Sequence, residues 1–471
     1  EVNSVMIGVA ESHASTAMMI DMTTDVTANG TRKDETIGAL SAVMTTVSLV
    51  ANALIRLTNA EDSVTKTYIM MKKILLCTCL LALSLGANAQ DNHGYGIDDS
   101  RFKSLAEEVA HLKKSNDMFN VYINYAANAQ VVSDADHQWS TGFTNKHLRL
   151  EIKGNLTDKL YYRLCHRLNN TTEARSEDNL AKATDIMMIG YKFSDKFRLE
   201  AGKVCQSLGG FEVDENPVYI YQFSDMTGSM DCYMAGVTAV YKPVPSQEFV
   251  LGITNSHNEK FSEVYGNNAV SIEGDGTYSR LLEKPRNPLA YCLNWNGSFL
   301  NDRLHTRWSW GIQGEAKHKY SRILILGQKL QLDRLQCYFD YMAQNDGIDR
   351  LGIATNELGS SFSGYTGNVW MSDIHYNSFV TKLNWQFVPR WNLMLKGMYE
   401  TASVTKIDRF KDFRKSYGYV GSVEYYPIKG QDLRIFLAYV GRKVTYKEGV
   451  GLDKYNTNRI ELGFKYRIKA Y

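Results

Sequence analysis

Arg459-Ile-Glu-Leu-Gly-Phe-Lys-Tyr-Arg-Ile-Lys469 puts Ile460, Leu462, Phe464, Tyr466 and Ile468 on one side of an extended chain and Arg459, Glu461, Lys465 and Arg467 on the other. A period of two is the mark of a strand with one apolar and one polar face. The same alternation runs upstream. Leu433, Ile435, Leu437 and Tyr439 oppose Arg434 and Arg442; Leu148, Leu150 and Ile152 oppose Arg149, Glu151 and Lys153; Tyr162, Leu164 and Leu168 oppose Arg163, Cys165, Arg167 and Asn169. Such segments start near residues 118, 143, 160, 186, 197, 232, 249, 289, 304, 320, 335, 373, 391, 415, 433 and 455, which makes sixteen.

A soluble sandwich also alternates, so the connections decide between the two architectures. Short turns such as 155–159, 193–196, 299–303, 387–390 and 427–432 join consecutive segments, while longer polar stretches at 169–184, 256–288, 345–372 and 403–414 lie between them. Tight turns at one end and long loops at the other fit an all-β, sixteen-stranded antiparallel transmembrane barrel over 118–471, wide enough for an aqueous lumen. Tyr162, Trp295, Trp308, Trp310, Trp385, Trp391, Tyr425 and Tyr426 are placed for an aromatic girdle at the lipid headgroups. The register of Ile323 to Leu326, apolar on both faces, stays open.

Upstream, Met71-Lys72-Lys73, the apolar run Ile74 to Leu85 and Ala87-Asn88-Ala89 have the three regions of a Sec signal peptide, read as 71–89. Residues 1–70 are expected to be unstructured upstream read-through. Between the signal and the first strand, Phe102, Leu105, Val109 and Leu112 recur at steps of three and four. Residues 90–117 are therefore expected to hold a short periplasmic helix, alone or as the seam of a coiled coil.

The segment Gly202-Lys-Val-Cys-Gln-Ser-Leu-Gly-Gly-Phe-Glu-Val-Asp-Glu-Asn-Pro-Val-Tyr-Ile-Tyr-Gln-Phe-Ser-Asp225, with Gly327-Gln-Lys-Leu-Gln-Leu332, Phe339-Asp-Tyr-Met342 and Gly347-Ile-Asp-Arg350, resembles the porin O and P family in the form common among Bacteroidota. The resemblance covers essentially all of 100–471. It implies a sixteen-stranded, trimeric outer-membrane porin in contact with lipid and lipopolysaccharide, whose third extracellular loop folds inward as a constriction. By position that loop is 205–230, with Gly209, Gly210, Phe211, Glu212, Pro217, Tyr219 and Tyr221 as its marked residues. Independently of the family, Phe211, Val218, Tyr219, Ile220 and Tyr221 would be poorly placed in a solvated loop, and Gly209-Gly210 allows the turn that an inward fold needs.

Passage through such a pore depends on width and wall charge. Arg149, Lys153, Arg163, Arg167, Arg198, Arg307, Lys382, Lys396, Arg434 and Arg467 fall on polar faces and are the candidate pore-lining residues, opposed by a smaller acidic set of Glu151, Glu200, Asp340, Glu400, Glu424 and Glu461. An excess of cations would draw small anions; cross-strand pairing would instead only hydrate the wall. The loop holds no Arg or Lys but carries Glu212, Asp214, Glu215 and Asp225, with Asp231 just after it, so convergence on phosphate is not evident. The expectation is passive diffusion of small hydrophilic solutes with a weak anion, phosphate-like, preference.

The alternative is a surface barrel whose 256–288 loop serves binding or adhesion. Enzymatic activity is not expected, since His147, His166, His305 and His375 have no neighbouring Ser in register. No cofactor or metal is expected: Glu273-Gly-Asp275 and Asp346 with Asp349 lack the ligand count for calcium. A net charge of +2 argues against nucleic acid as a partner. Cys165, Cys205, Cys232, Cys292 and Cys337 have neither zinc nor redox spacing and read as isolated thiols. N-terminal sequencing of the exported protein is predicted to begin near Gln90; a start upstream of Met71 would remove the signal-peptide reading.

Overall fold

The computed structural model describes residues 118–470, and the expected helix at 90–117, the signal peptide and residues 1–70 lie outside them. Nineteen strands are formed: β1 Asn120–Ser133, β2 Trp139–Asn155, β3 Leu160–Arg167, β4 Thr184–Lys192, β5 Phe197–Cys205, β6 Tyr233–Val244, β7 Gln247–Asn255, β8 Val270–Glu273, β9 Tyr278–Leu281, β10 Leu289–Phe299, β11 Leu304–Ala316, β12 Lys319–Leu332, β13 Leu335–Ile348, β14 Val369–Trp370, β15 Ser372–Val388, β16 Trp391–Val404, β17 Arg414–Tyr425, β18 Asp432–Tyr446 and β19 Tyr455–Lys469. Sixteen of them form one closed antiparallel barrel; β8, β9 and β14 make a small separate sheet. Each barrel strand starts within a few residues of the position expected from alternation.

Closure runs from Tyr122 opposite Lys469 to Ser133 opposite Asn458, joining β1 to β19. With no free edge, the ladder pairs its backbone groups internally, as a wall in hydrocarbon must. The alternation then sorts the side chains. Ile460 and Leu462 are exposed on the outer surface, whereas Glu461, Lys465 and Arg467 are enclosed. Outside, Tyr399 stacks between Phe379 and Tyr417, and Trp391 lies on Tyr425. Tyr426 departs from the expected girdle: it is buried, its hydroxyl donates to Glu424 at 3.3 Å, and the Arg434 guanidinium lies 5.3 Å from its ring. It follows β17 directly and has left the strand's alternation.

Five ladders contain register shifts, two of them beside tight turns at Tyr241/Val244 and Trp385/Val388; the other three each turn an extra residue out of the strict period. Ala126 and Ala127 face His147 and Asn145, so Lys146 is unpaired; Cys165 and His166 face Ile186 and Thr184, so Asp185 is unpaired; Gly314 and Ala316 face Tyr320 and Lys319, so Glu315 is unpaired. All three are acidic or basic, and all three turn toward the interior network described below or toward His257.

The long stretches 256–288 and 345–372 are more ordered than polar loops. They contain short helices at Phe261–Val264 and Ile353–Leu358 and the β14-β8-β9 sheet. Tyr265, Ala269, Leu282, Ala316 and Ile348 form a buried apolar cluster flanked by Phe261 and Trp370. Asp349 accepts from the N–H of Thr355 at 2.7 Å, the N–H of Gly352 at 3.0 Å and the Tyr376 hydroxyl at 2.7 Å. Burial pushes its carboxyl upward, and these donors oppose the shift. Glu273 is spent on Lys319 at 2.7 Å.

Gly190 shows how tightly the inner wall is packed. It faces Tyr161 across the β3–β4 ladder, and a Cβ there would sit 2.1 Å from the tyrosine ring, whose hydroxyl donates to Glu200 at 2.8 Å. Gly190→Val is predicted to destabilise the barrel by about 1–3 kcal/mol through overpacking, seen as a lower urea midpoint in detergent micelles; an unchanged midpoint would mean the ring moves freely aside.

Candidate functional site

The connection 206–232 between β5 and β6 does not extend away from the barrel; its side chains and backbone bond to residues on the inner wall. Gly209 and Gly210 have φ of +72° and +74°, a conformation that suits glycine. Their turn aims the N–H groups of Phe211 and Glu212 at Asp340 on β13, at 2.8 and 2.7 Å. Arg307 of β11 donates to the Gly210 carbonyl at 3.2 Å. A Cβ at Gly327 on β12 would lie 3.0 Å from the Gly210 Cα, so the two backbones meet glycine to glycine. Leu208 and Phe211 join Ile323 and Ile325 in one apolar cluster, which explains why β12 is apolar on both faces: its inner side is covered by this segment.

Further along, Asn216 accepts from the N–H of Val218 and caps a 3-10 turn over Pro217–Tyr219. Tyr219 donates to Asp432, and Tyr221 to Glu424 at 2.8 Å. Lys465 donates to the Tyr219 carbonyl at 2.9 Å and sits 3.2 Å from the Tyr221 ring centre. Ser224 caps a helical turn, α1, over Asp225–Ser229, whose first N–H groups, on Asp225 and Met226, donate to Glu400 at 2.6 and 3.0 Å.

The acidic residues of this segment are its anchors. Glu212 pairs with Lys396 at 2.5 Å, Asp214 with Arg307, Glu215 with Lys382, and Asp225 with Arg414 at 2.7 Å and with Arg442. These cations stand on β11, β15, β16, β17 and β18. The segment's lack of Arg and Lys thus follows from the sign of the wall it meets.

All ten candidate pore-lining cations face inward, and each has a carboxylate partner. Besides the three held by the segment, Arg434 bonds Glu424 and Asp432 at 3.2 Å, and Arg198 bonds Glu200 and Glu248 at 3.2 Å. Of the two readings of these charges, pairing is what the wall displays: buried charges in a partly enclosed lumen are retained as pairs, because an unpaired buried charge costs several kcal/mol. The pairing is uneven, however. On β1–β4 and β19, Asp185 serves Arg149 at 3.2 Å and Arg167 at 2.6 Å. Glu151 serves Arg163 at 2.9 Å and Arg467 at 3.2 Å, with Lys153 at 3.8 Å. Glu461 serves Lys146 and Arg459. Among the described residues, three carboxylates here answer seven cations.

Between the docked segment and this wall lies a cavity of about 250 Å³ bordered by Arg149, Glu151, Arg163, Arg198, Asp214, Tyr219 and Arg307. A second, of about 380 Å³, is bordered by Lys146, His147, Arg149, Arg167, Asn169 and Asn170. Arg149, Val213, Pro217 and Tyr233 border both, so the two spaces adjoin between the segment and β2.

Alternation could not find Lys146 or Asp185, because bulges turn them inward against the period; Glu248 and Asp432 had the right parity but lie at strand ends. The histidines are occupied elsewhere: His166 bonds the Thr184 hydroxyl at 3.0 Å, and His375 bonds Asn345 at 2.7 Å. Cys205 and Cys232 are not isolated; their sulfurs are 3.9 Å apart.

Residues 119–468 match the family of phosphate-selective porins O and P. The chain belongs to this family. It is an outer-membrane porin, and the family's fold is that of a channel. The structure is similar to the outer membrane channel DcaP of Acinetobacter baumannii, with a TM-score of 0.51 and 12% identity, covering 76% of this chain and 99% of that one. OmpT of Vibrio cholerae gives 0.47 at 11% identity, covering 76% and 100%. The anion-selective porin from Comamonas acidovorans gives 0.46 at 9%, covering 74% and 99%. At such identities the DcaP likeness speaks for the porin's fold alone. No curated protein matches the sequence.

Glu212→Gln is predicted to leave Lys396, 4% exposed in its side chain, without a counter-charge. Loss of one partner of a buried pair costs about 3–5 kcal/mol, so the porin should show larger and noisier single-channel currents; currents equal to wild type would mean the pair does not hold the segment.

Proposed function

We propose that this porin is a passive diffusion channel for small hydrophilic solutes, with a mild preference for anions, and that 206–232 is its constriction. The observation that carries the reading is the uneven pairing among the described residues: four of the segment's five acids, Glu212, Asp214, Glu215 and Asp225, are committed to cations of β11–β18, while on β1–β4 and β19 each of Asp185, Glu151 and Glu461 serves more than one cation. A solute passing between them meets positive potential on one side and a segment with its negative charge already neutralised on the other. Such a field concentrates anions at the narrow point and weakens as salt rises. Arg149, Lys153, Arg163, Arg167, Arg198 and Arg467 border this path in our reading. Arg307, Lys382, Lys396 and Arg434 hold the constriction and its flank in place.

The segment's conformation supports constriction, because Phe211, Val218, Tyr219 and Tyr221 are nearly fully buried inside the ring of strands. The exposed apolar belt is suited to lipid, lipopolysaccharide and two further copies in a homotrimer. Residues 71–89 would direct export, leaving 90–117 at the periplasmic mouth and 1–70 outside the mature chain. The alternative of a binding or adhesion barrel is less well supported, since the 256–288 loop turns much of its apolar surface onto the barrel's own residues.

In planar bilayers under a potassium chloride gradient, the double charge reversal Arg163→Glu with Arg167→Glu is expected to lower the chloride-to-potassium permeability ratio by a factor of roughly 10 at low salt, and by less at high salt. An unchanged reversal potential would refute the path.

A further inference from the structure

We infer that Cys205 and Cys232 form a disulfide that closes the neck of the docked segment. Cys205 is the last residue of β5, and Cys232 immediately precedes β6. The whole inward connection hangs between them. Their sulfurs are 3.9 Å apart, and the N–H of Gln206 donates to the Cys232 carbonyl at 2.7 Å, continuing the β5–β6 ladder through this point. In strict alternation Cys232 would oppose Gln206 and face away from Cys205; lying just past the strand end, it has turned its thiol to the same side instead.

Cys205 opposes Tyr233, so Cys232 is its diagonal neighbour, one residue off register; a strand spacing of about 4.8 Å and a rise of about 3.4 Å put such Cα atoms roughly 6 Å apart, inside the span of about 4.4–6.8 Å that disulfides tolerate. Side-chain rotation alone can therefore bring the sulfurs together. Cys205 borders the first cavity and Cys232 the second, so both thiols are reachable from the lumen. Cys165 and Cys292 are buried, and the structure brings no other pair of described cysteine sulfurs together by a bond.

The outer side of the inner membrane is oxidising. One thiolate, its proton lost to water, attacks the disulfide of a periplasmic dithiol-disulfide oxidoreductase and forms a mixed disulfide. The second thiolate, also deprotonated, displaces the oxidoreductase sulfur and closes the Cys205–Cys232 bond. Two electrons pass to the oxidoreductase, which leaves as the dithiol, and two protons are released and taken up in balance. The consequence is mechanical: with its neck crosslinked, the segment loses freedom at both ends where it leaves and rejoins the wall. This inference depends on export to the outer membrane and not on anion preference, so it can fail while the channel reading stands.

The test uses the full chain exported to outer membranes, which are solubilised in excess N-ethylmaleimide, unfolded in the same reagent and digested without reduction. Mass spectrometry should find the peptides bearing Cys205 and Cys232 joined and lighter by two hydrogens, with maleimide on Cys165, Cys292 and Cys337. Maleimide on both Cys205 and Cys232, or either one joined to a different cysteine, would overturn the proposal. In Cys232→Ser, Cys205 should become maleimide-labelled, and a joined Cys205 in that variant would also overturn it. Reductant added to wild-type channels in a bilayer should raise open-state current noise to the level of the Cys205→Ser, Cys232→Ser double variant. Noise unmoved by reductant would overturn the mechanical role.

Discussion

A strand in hydrocarbon must bond every backbone N–H and C=O to another strand, and pairing β19 back onto β1 is what makes this possible for the whole wall. Once the ring is closed, each strand has only two environments to offer its side chains. Residues such as Leu437 and Leu462 go to lipid, and Arg434, Glu461 and Arg467 go to the enclosed side. The charged groups are thereby gathered into a small volume. There they are close enough, and shielded enough from bulk water, that pairing governs their arrangement.

That gathering gives the inward segment its binding surface. A connection whose charged side chains are all carboxylates meets cations on β11 and β15–β18, while the two-glycine turn lets its backbone reach Asp340 and Gly327 without steric conflict. Aromatic residues add area: Tyr219 and Tyr221 combine hydroxyl donation with contact to Arg434 and Lys465. Most of the segment's negative charge is spent on β11–β18, and among the described residues the cations of β1–β4 and β19 share Asp185, Glu151 and Glu461. Selectivity in this reading is a product of asymmetry within a chain whose net charge is only +2.

Much of the fold could be read from period and punctuation. Strand number, order and facing were legible because hydrophobic alternation is local and each turn marks its own ends. What escaped was local irregularity with distant consequences. Lys146, Asp185 and Glu315 sit at bulges, where one extra residue reverses the inward-outward sense, and no composition signal marks the place. Tyr426 looked like a headgroup anchor because it follows Tyr425, but the chain has already left the strand. Ile323 and Ile325 looked ambiguous because their partner, the Leu208–Phe211 stretch, lies more than a hundred residues away in sequence.

The sequence by itself determined the barrel: alternation over sixteen segments, with polar loops between, allows one apolar outside and one polar inside, since side-chain direction in a strand is set by covalent geometry. It also marked 205–230 as poorly suited to a solvated loop, through its aromatic content and paired glycines. Only the tertiary structure decided which cation meets which carboxylate, and therefore where the charge is neutralised and where it is left over. Those pairings join residues up to hundreds of positions apart, such as Arg467 with Glu151, and distance in space is fixed by closure of the ring, which no local pattern encodes.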